Sequence, residues 1–192
     1  MTRTVRIAGQ APRDWSESTR AELASVGESA RQRLHLPLVI AHHPTFLVPY
    51  MTWAKAVALD GVLEHRDNAL LALRTALLCD SEFEWGVHAE SAVVRAGLTT
   101  DDVARVAEGP GALGWSRRDT ALLRAADELH RGHAISDELW LTLSEYFTDV
   151  AIMELTFVCG HYTMLSMVAN TVGVEPEEHW MALPTTLPGG GR

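Results

Sequence analysis

Apolar residues along this chain recur at three- and four-residue spacing, and no stretch alternates with the period of two that a half-buried strand requires. Over 116–131, Ala121, Leu122, Ala125, Ala126 and Leu129 form one stripe, while Arg124 with Glu128 and Asp127 with Arg131 stand four apart on the wet side. The same reading predicts helices over 15–34, 44–60, 66–79, 81–96, 100–108, 116–131, 136–147 and 148–172. Starts are marked by Ser81-x-x-Glu84, Thr99-x-x-Asp102 and Ser116-x-x-Asp119, which place a capping hydroxyl three residues before a carboxylate, with Glu84 giving the full capping-box form. Stops are marked by Gly61, Gly97 and Gly173, each followed by an apolar residue as a left-handed C-cap requires, and by Gly132. Pro49, inside the second segment, is expected to kink it or delay its start.

The last helical segment, VAIMELTFVCGHYTMLSMVANTV, is apolar nearly all round, so it is expected to run through the middle of the domain or of a subunit interface. Together with Trp53, Trp115, Trp140 and Trp180, read as prone to exposure, it predicts a homo-oligomer whose contact includes the long helices. The fold class is therefore all-α: a single-domain bundle of about eight helices over 1–175, followed by an extended tail, 176–192, that ends in LPGGGR.

Composition narrows the partners. The chain has 192 residues, 16 Lys plus Arg against 25 Asp plus Glu, a formal charge of −9 and a single lysine, Lys55, so nucleic acid and anionic membranes are disfavoured. The N-terminus MTRTVRIAGQAPRD has no apolar core of the kind a signal peptide carries, and the two longest apolar stretches are broken by Arg74 and by Glu154 and His161; no membrane span is expected. Cys79 and Cys159, eighty positions apart in apolar surroundings, read as buried free thiols, which points to a cytoplasmic location.

The densest chemistry is Asp80-Ser81-Glu82-Phe83-Glu84-Trp85-Gly86-Val87-His88. Glu84 and His88 are four apart, so they meet on one helix face, where a carboxylate orients the imidazole and stabilises its charged form; such a pair can pass protons near neutral pH. The competing reading makes Glu84 only the third residue of the Ser81 capping box. Phe83, Trp85 and Val87 read first as core. Arg74, two turns before this site, is the nearest candidate for holding an anion, although an Arg inside LALRTALL and a Glu154 inside MELTFV could equally form a buried ion pair between packed helices. His161 and Tyr162 lie midway along the last helix. The remaining histidines show no metal-ligand spacing, so no metal site is expected.

The run LALRTALLCDSEFEWGVHAESAVVRAGLT, followed in order by DDVARV, DTALLRAADELH, ISDELWLTL and MELTFVCGHYTMLSMVANTVGV, resembles the carboxymuconolactone decarboxylase family, also called alkylhydroperoxidase D-like. The resemblance spans about residues 44–175 and its signature is Glu82-Phe83-Glu84-Trp85-Gly86-Val87-His88. It implies an all-helical fold with an active site between helices, often at a subunit contact. The family's peroxidase branch carries Cys-x-x-Cys-x-x-x-His; here its cysteine positions fall on Ser81 and Glu84, only His88 remains, and the carboxylate that branch places twelve residues earlier falls on Ala69. Without that dithiol the thiol chemistry has no nucleophile at this place. The decarboxylase branch uses no metal or organic cofactor. By resemblance, then, Glu84 and His88 are the catalytic candidates, Glu82, Trp85, Arg74, His161 and Tyr162 the candidates for contacting a small-molecule substrate, and no cofactor is expected. The expected activity is a lyase or isomerase acting on a small conjugated carboxylate, lactone or ketone; a peroxidase or disulfide reductase, or a non-catalytic binding or assembly protein on the same scaffold, are the alternatives.

Overall fold

The computed structural model describes residues 4–24 and 35–184. Among these, a 3-10 turn, Pro12–Asp14, precedes helices α1 (Glu17–Ala24), α2 (His35–Ile40), α3 (Pro44–Leu59), α4 (His65–Leu78), α5 (Glu82–Arg95), α6 (Thr100–Glu108), α7 (Arg117–Gly132), α8 (Asp137–Ser144) and α9 (Asp149–Val172), with no strand. The helix expected over 15–34 begins as α1; its second half lies outside the described residues, and α2 follows as a short separate helix. α3 runs through Pro49. α8 ends three residues short of expectation, because the amides of Tyr146 and Phe147 both turn back to the Leu143 carbonyl.

The capping signals are mostly used as read. Hydroxyls of Ser81, Thr99, Ser116, Ser136 and Thr148 accept from the amide three residues on. Only Thr99 with Asp102 forms the reciprocal box. Ser81 does not, since its own amide donates to the Ala76 carbonyl at 3.0 Å, which leaves the Glu84 carboxylate uncommitted to the cap. Gly97 and Gly173 adopt the left-handed C-cap conformation. Gly61 does not: it is small because the Glu154 carboxylate sits where its Cβ would be. At the end of α7 it is His133, not Gly132, that turns left-handed, with φ 57°.

α4, not α9, runs through the middle of the domain, packed against α5, α7 and α9 and touching α3 and α6. Its apolar residues Leu70, Leu71, Ala72 and Leu73 are fully buried. A central helix can carry charged and amide side chains only if they are satisfied, and Asp67, Asn68 and Arg74 are. Asp67 binds Arg118 at 2.5 and 2.6 Å, with burial raising its carboxyl and the guanidinium opposing that. Asn68 donates to the Val57 carbonyl at 2.7 Å. Arg74 donates to both oxygens of Asp127, at 2.6 and 3.1 Å, and to the Val106 carbonyl at 3.0 Å. The Arg74–Glu154 pair weighed from the sequence is therefore absent. Glu154 instead accepts from the backbone amides of Val62 and Leu63, at 2.7 and 3.2 Å, and so fastens α9 to the turn before α4.

α9 is long and apolar enough to cross a membrane by length and composition, but half of that apolar window is buried against its neighbours. Two of the four tryptophans expected at the surface are not there: Trp180 is buried, and Trp115 is part-buried, with its indole N–H on the Gly109 carbonyl and Arg105 over its ring. Beyond Gly173 the described residues run to 184 without a further helix, turn once at Glu177–Trp180, and pack on the domain. His35 holds this segment through Nδ1 to the Glu175 carbonyl (2.9 Å) and Nε2 to the Glu177 carboxylate (2.7 Å), and Trp180 packs on Phe83 at 5.7 Å between ring centres. A Cβ on Gly86 would lie 2.8 Å from the Trp180 ring, so the strap sits directly on α5 and only glycine leaves room for it.

Candidate functional site

The first turns of α5 place Glu84 and His88 on one face, and α4 and α9 close over them. Glu84 is buried and His88 nearly so, with His88 Nε2 3.5 Å from Glu84 Oε2; Glu84 Oε1 has no partner among the described residues. From α9, the Tyr162 ring stands edge-on to His88 at 4.4 Å between centres, and the Tyr162 hydroxyl donates to Asn68 Oδ1 at 3.4 Å. His161, beside Tyr162, is bracketed by Tyr50 and Trp53 from α3. Burial, and then the charge of Glu84, pushes the Tyr50 and Tyr162 hydroxyls well above the ordinary tyrosine range, so both act as neutral donors.

His88 and Tyr162 open onto a cavity of about 130 Å³, whose wall also includes His65, Asn68, Ser91 and Arg95. That is close to the size of engineered cavities of about 150 Å³ that take up benzene, so a single ring or a short branched acid fits. His88, Ser91 and Arg95 follow one another at three- and four-residue spacing along one face of α5. Arg95 has no carboxylate partner among the described residues.

Of the sequence candidates, Glu84, His88, His161 and Tyr162 come together here. Arg74 does not: it is consumed by Asp127 and the Val106 carbonyl, and the guanidinium at the cavity is that of Arg95, with the His65 side chain also on the wall. Trp85 is fully buried in the hydrophobic core, so it supports α5 from behind and touches no substrate. Glu82 is half-buried and is not part of the cavity wall. Sequence reasoning misses Tyr50, Asn68, His65 and Arg95. For Arg95 a signal exists, its seven-residue spacing from His88; for the other three only the tertiary packing supplies one. No group of three or more metal-binding side chains forms among the described residues.

The cysteines lie elsewhere. A cleft of about 560 Å³ between α4, α7 and α9 is lined by Cys79, Cys159, His130, His133 and Met167. Cys79 Sγ is 3.9 Å from His130 Nδ1, but burial raises the Cys79 thiol and lowers His130, the reverse of a thiolate–imidazolium pair, and burial pushes Cys159 up to about 12.

Burial, and secondarily the charge of His88, pushes His161 down to about 4. Unfolded, the group titrates near about 6.5, so the folded state binds fewer protons between those values, and its contribution to stability is full above about pH 6.5 and lost as pH falls toward 4. Urea unfolding is expected to show a loss of about 2–3 kcal/mol from this group between pH 7 and 4.5, and His161→Gln is expected to flatten the pH dependence by that amount.

With the geometry in hand, comparison with known proteins is informative about lineage. Residues 44–128 match the model of the carboxymuconolactone decarboxylase family. No curated protein matches the chain in sequence. Among solved structures, the chain superposes on the alkylhydroperoxidase AhpD core of an uncharacterized peroxidase-related protein from Ralstonia eutropha JMP134 with a TM-score of 0.76 at 18% identity, over 91% of this chain and 93% of that one. An uncharacterized peroxidase-related protein from Silicibacter sp. TM1040 gives 0.75 at 14%, over 94% and 96%. A cysteine-to-alanine variant of the debrominase Bmp8, in complex with 2,3,4-tribromopyrrole, gives 0.72 at 13%, over 93% and 95%. At such identities these likenesses speak for the fold alone. The all-helical architecture is thus AhpD-like, and residues 44–128 are similar to the carboxymuconolactone decarboxylase family.

Proposed function

We propose that the protein is a cofactor-independent proton-transfer enzyme, a lyase or isomerase acting on a small conjugated carboxylate, lactone or ketone. The observation that carries this is a buried carboxylate, Glu84, backing an imidazole, His88, that opens onto a ring-sized cavity with Arg95 and His65 on its wall. A substrate carboxylate or enolate is held by the Arg95 guanidinium, which keeps its charge at every working pH. His88 delivers a proton to the carbon that loses carbon dioxide, or removes one beside the carbonyl. Glu84 stabilises the imidazolium in either direction, from a site where little water screens it. Tyr162, with its hydroxyl on Asn68, fixes the ring from the side.

The test is turnover of a panel of small unsaturated lactones and keto acids in deuterium oxide. Release of carbon dioxide, or uptake of one deuterium at the reacting carbon, with a bell-shaped pH profile is expected; a protein inert to the panel that consumes peroxide at the expense of a thiol would overturn the reading. A second, independent check is the double variant Cys79→Ser, Cys159→Ser, expected to retain turnover within a few fold while losing some stability through the buried Cys159.

A further inference from the structure

The cleft between α4, α7 and α9 is roomier than the cavity beside His88, and the proposed reaction uses none of it. At about 560 Å³ against about 130 Å³, it falls in the range of about 300–1,000 Å³ typical of small-molecule sites.

Three of its features are unexplained by the packing of the chain. The first is Gly160, which lines the cleft from the middle of the 24-residue α9. Glycine weakens a helix, and a Cβ built here would meet nothing within 4 Å, so no neighbour forces the choice. Gly86, by contrast, is forced by Trp180. What a bare Cα does provide is room for a flat molecule to lie against the helix backbone. The second is Thr75, whose hydroxyl is buried at the wall of the cleft with no oxygen or nitrogen partner among the described residues and only the weakly polar Cys159 thiol to face. The third is backbone strain. Among the described residues two that are not glycine have a left-handed φ, Asp80 at 51° and His133 at 57°, and both line this cleft, His133 although Gly132 stands next to it.

The wall says what fits. No lysine or arginine lines it, and burial lowers the His130 imidazole, so that ring is neutral at about pH 7 and offers one donor and one acceptor. A carboxylate or phosphate would be buried here without a countercharge, in a protein of net charge −9. The sulfurs of Cys79, Cys159 and Met167 and the rings of His130 and His133 are surfaces that favour an aromatic body. The cavity at His88 is the opposite case, with the Arg95 guanidinium on its wall.

We propose that this cleft is a second small-molecule site, which takes an uncharged aromatic alcohol or amide with its rings against Gly160 and its polar group on the Thr75 hydroxyl. It stands apart from the reaction proposed for His88.

Two-ring probes separate the two sites, since they exceed the ring-sized cavity. The test is the rate at which iodoacetamide alkylates Cys79, read on the Cys79 peptide by mass spectrometry, with naphthylmethanol or naphthoate present at millimolar concentration. The alcohol is expected to slow alkylation several fold and the carboxylate to leave it unchanged. Gly160→Leu, for which the single chain has room, is expected to fill the space and abolish the protection with an unchanged circular dichroism spectrum. Thr75→Val, which keeps the shape and removes the hydroxyl, is expected to raise the concentration of alcohol needed for half-protection several fold. The proposal is overturned if the alcohol gives no protection, if naphthoate protects equally, or if protection survives either substitution unchanged.

Discussion

Glu84→Gln is expected to lower turnover by roughly 10²-fold or more while leaving the fold as stable as before or slightly more so. The two halves of that outcome have different causes. Turnover falls because an amide cannot stabilise an imidazolium 3.5 Å away. Stability holds because the cap does not use the side chain: Ser81 Oγ accepts from the Glu84 backbone amide, and the Ser81 amide goes to Ala76. Burying a neutral amide in place of a carboxylate with an unpartnered oxygen also removes a desolvation cost, the usual signature of a residue kept for activity at the expense of stability. His88→Asn is expected to match the loss, and the double variant to be little worse than either, since each disables the same relay. Turnover and urea-unfolding curves on the three variants suffice; full turnover in a folded Glu84→Gln protein would return Glu84 to a purely structural role.

The largest effect on stability is expected at Arg74. Arg74→Met strips Asp127 of both its guanidinium bonds and leaves the Val106 carbonyl without its side-chain donor, inside the packing of α4 on α6 and α7. Breaking one side of a buried pair typically costs about 3–5 kcal/mol, and the same order is expected for Asp127→Ala. Because both variants expose the same broken pair, their combination should cost much less than the sum. Denaturant midpoints measure this directly. A loss below about 1 kcal/mol for Arg74→Met, the range of surface pairs, would mean that water reaches the site.

The contrast between these two sites shows what a sequence can and cannot reveal. Glu84 and His88 are legible because their relation is local: four residues on one helix must meet. The same holds for the caps at Ser81, Thr99 and Ser116 and the left-handed Gly97 and Gly173. Arg74 is equally conspicuous as a charge in an apolar run, but which carboxylate answers it is decided by how α4 crosses α7, and periodicity within one helix contains nothing about that crossing. Asp127 even reads as a residue of the wet side of α7, where its backbone carbonyl does accept from Arg131 while its carboxylate turns inward to Arg74. Asn68 and Tyr50 reach the site by the same route. The central place of α4 is hidden for a related reason: Asp67, Asn68 and Arg74 lower its apparent hydrophobicity, and only their partners on other helices make its burial possible.

The strap that lays Trp180 on Gly86 ties helix α5 to the order in which the chain is made. Gly86 leaves the ribosome more than ninety residues ahead of Trp180, which at about 5–20 residues per second is on the order of ten seconds. Throughout that interval Phe83 lacks the indole that covers it, and the turn bearing Glu84 lacks the weight that holds it against α4. A nascent chain stalled before Trp180 therefore presents helices α4 to α9 with the first turn of α5 still uncovered.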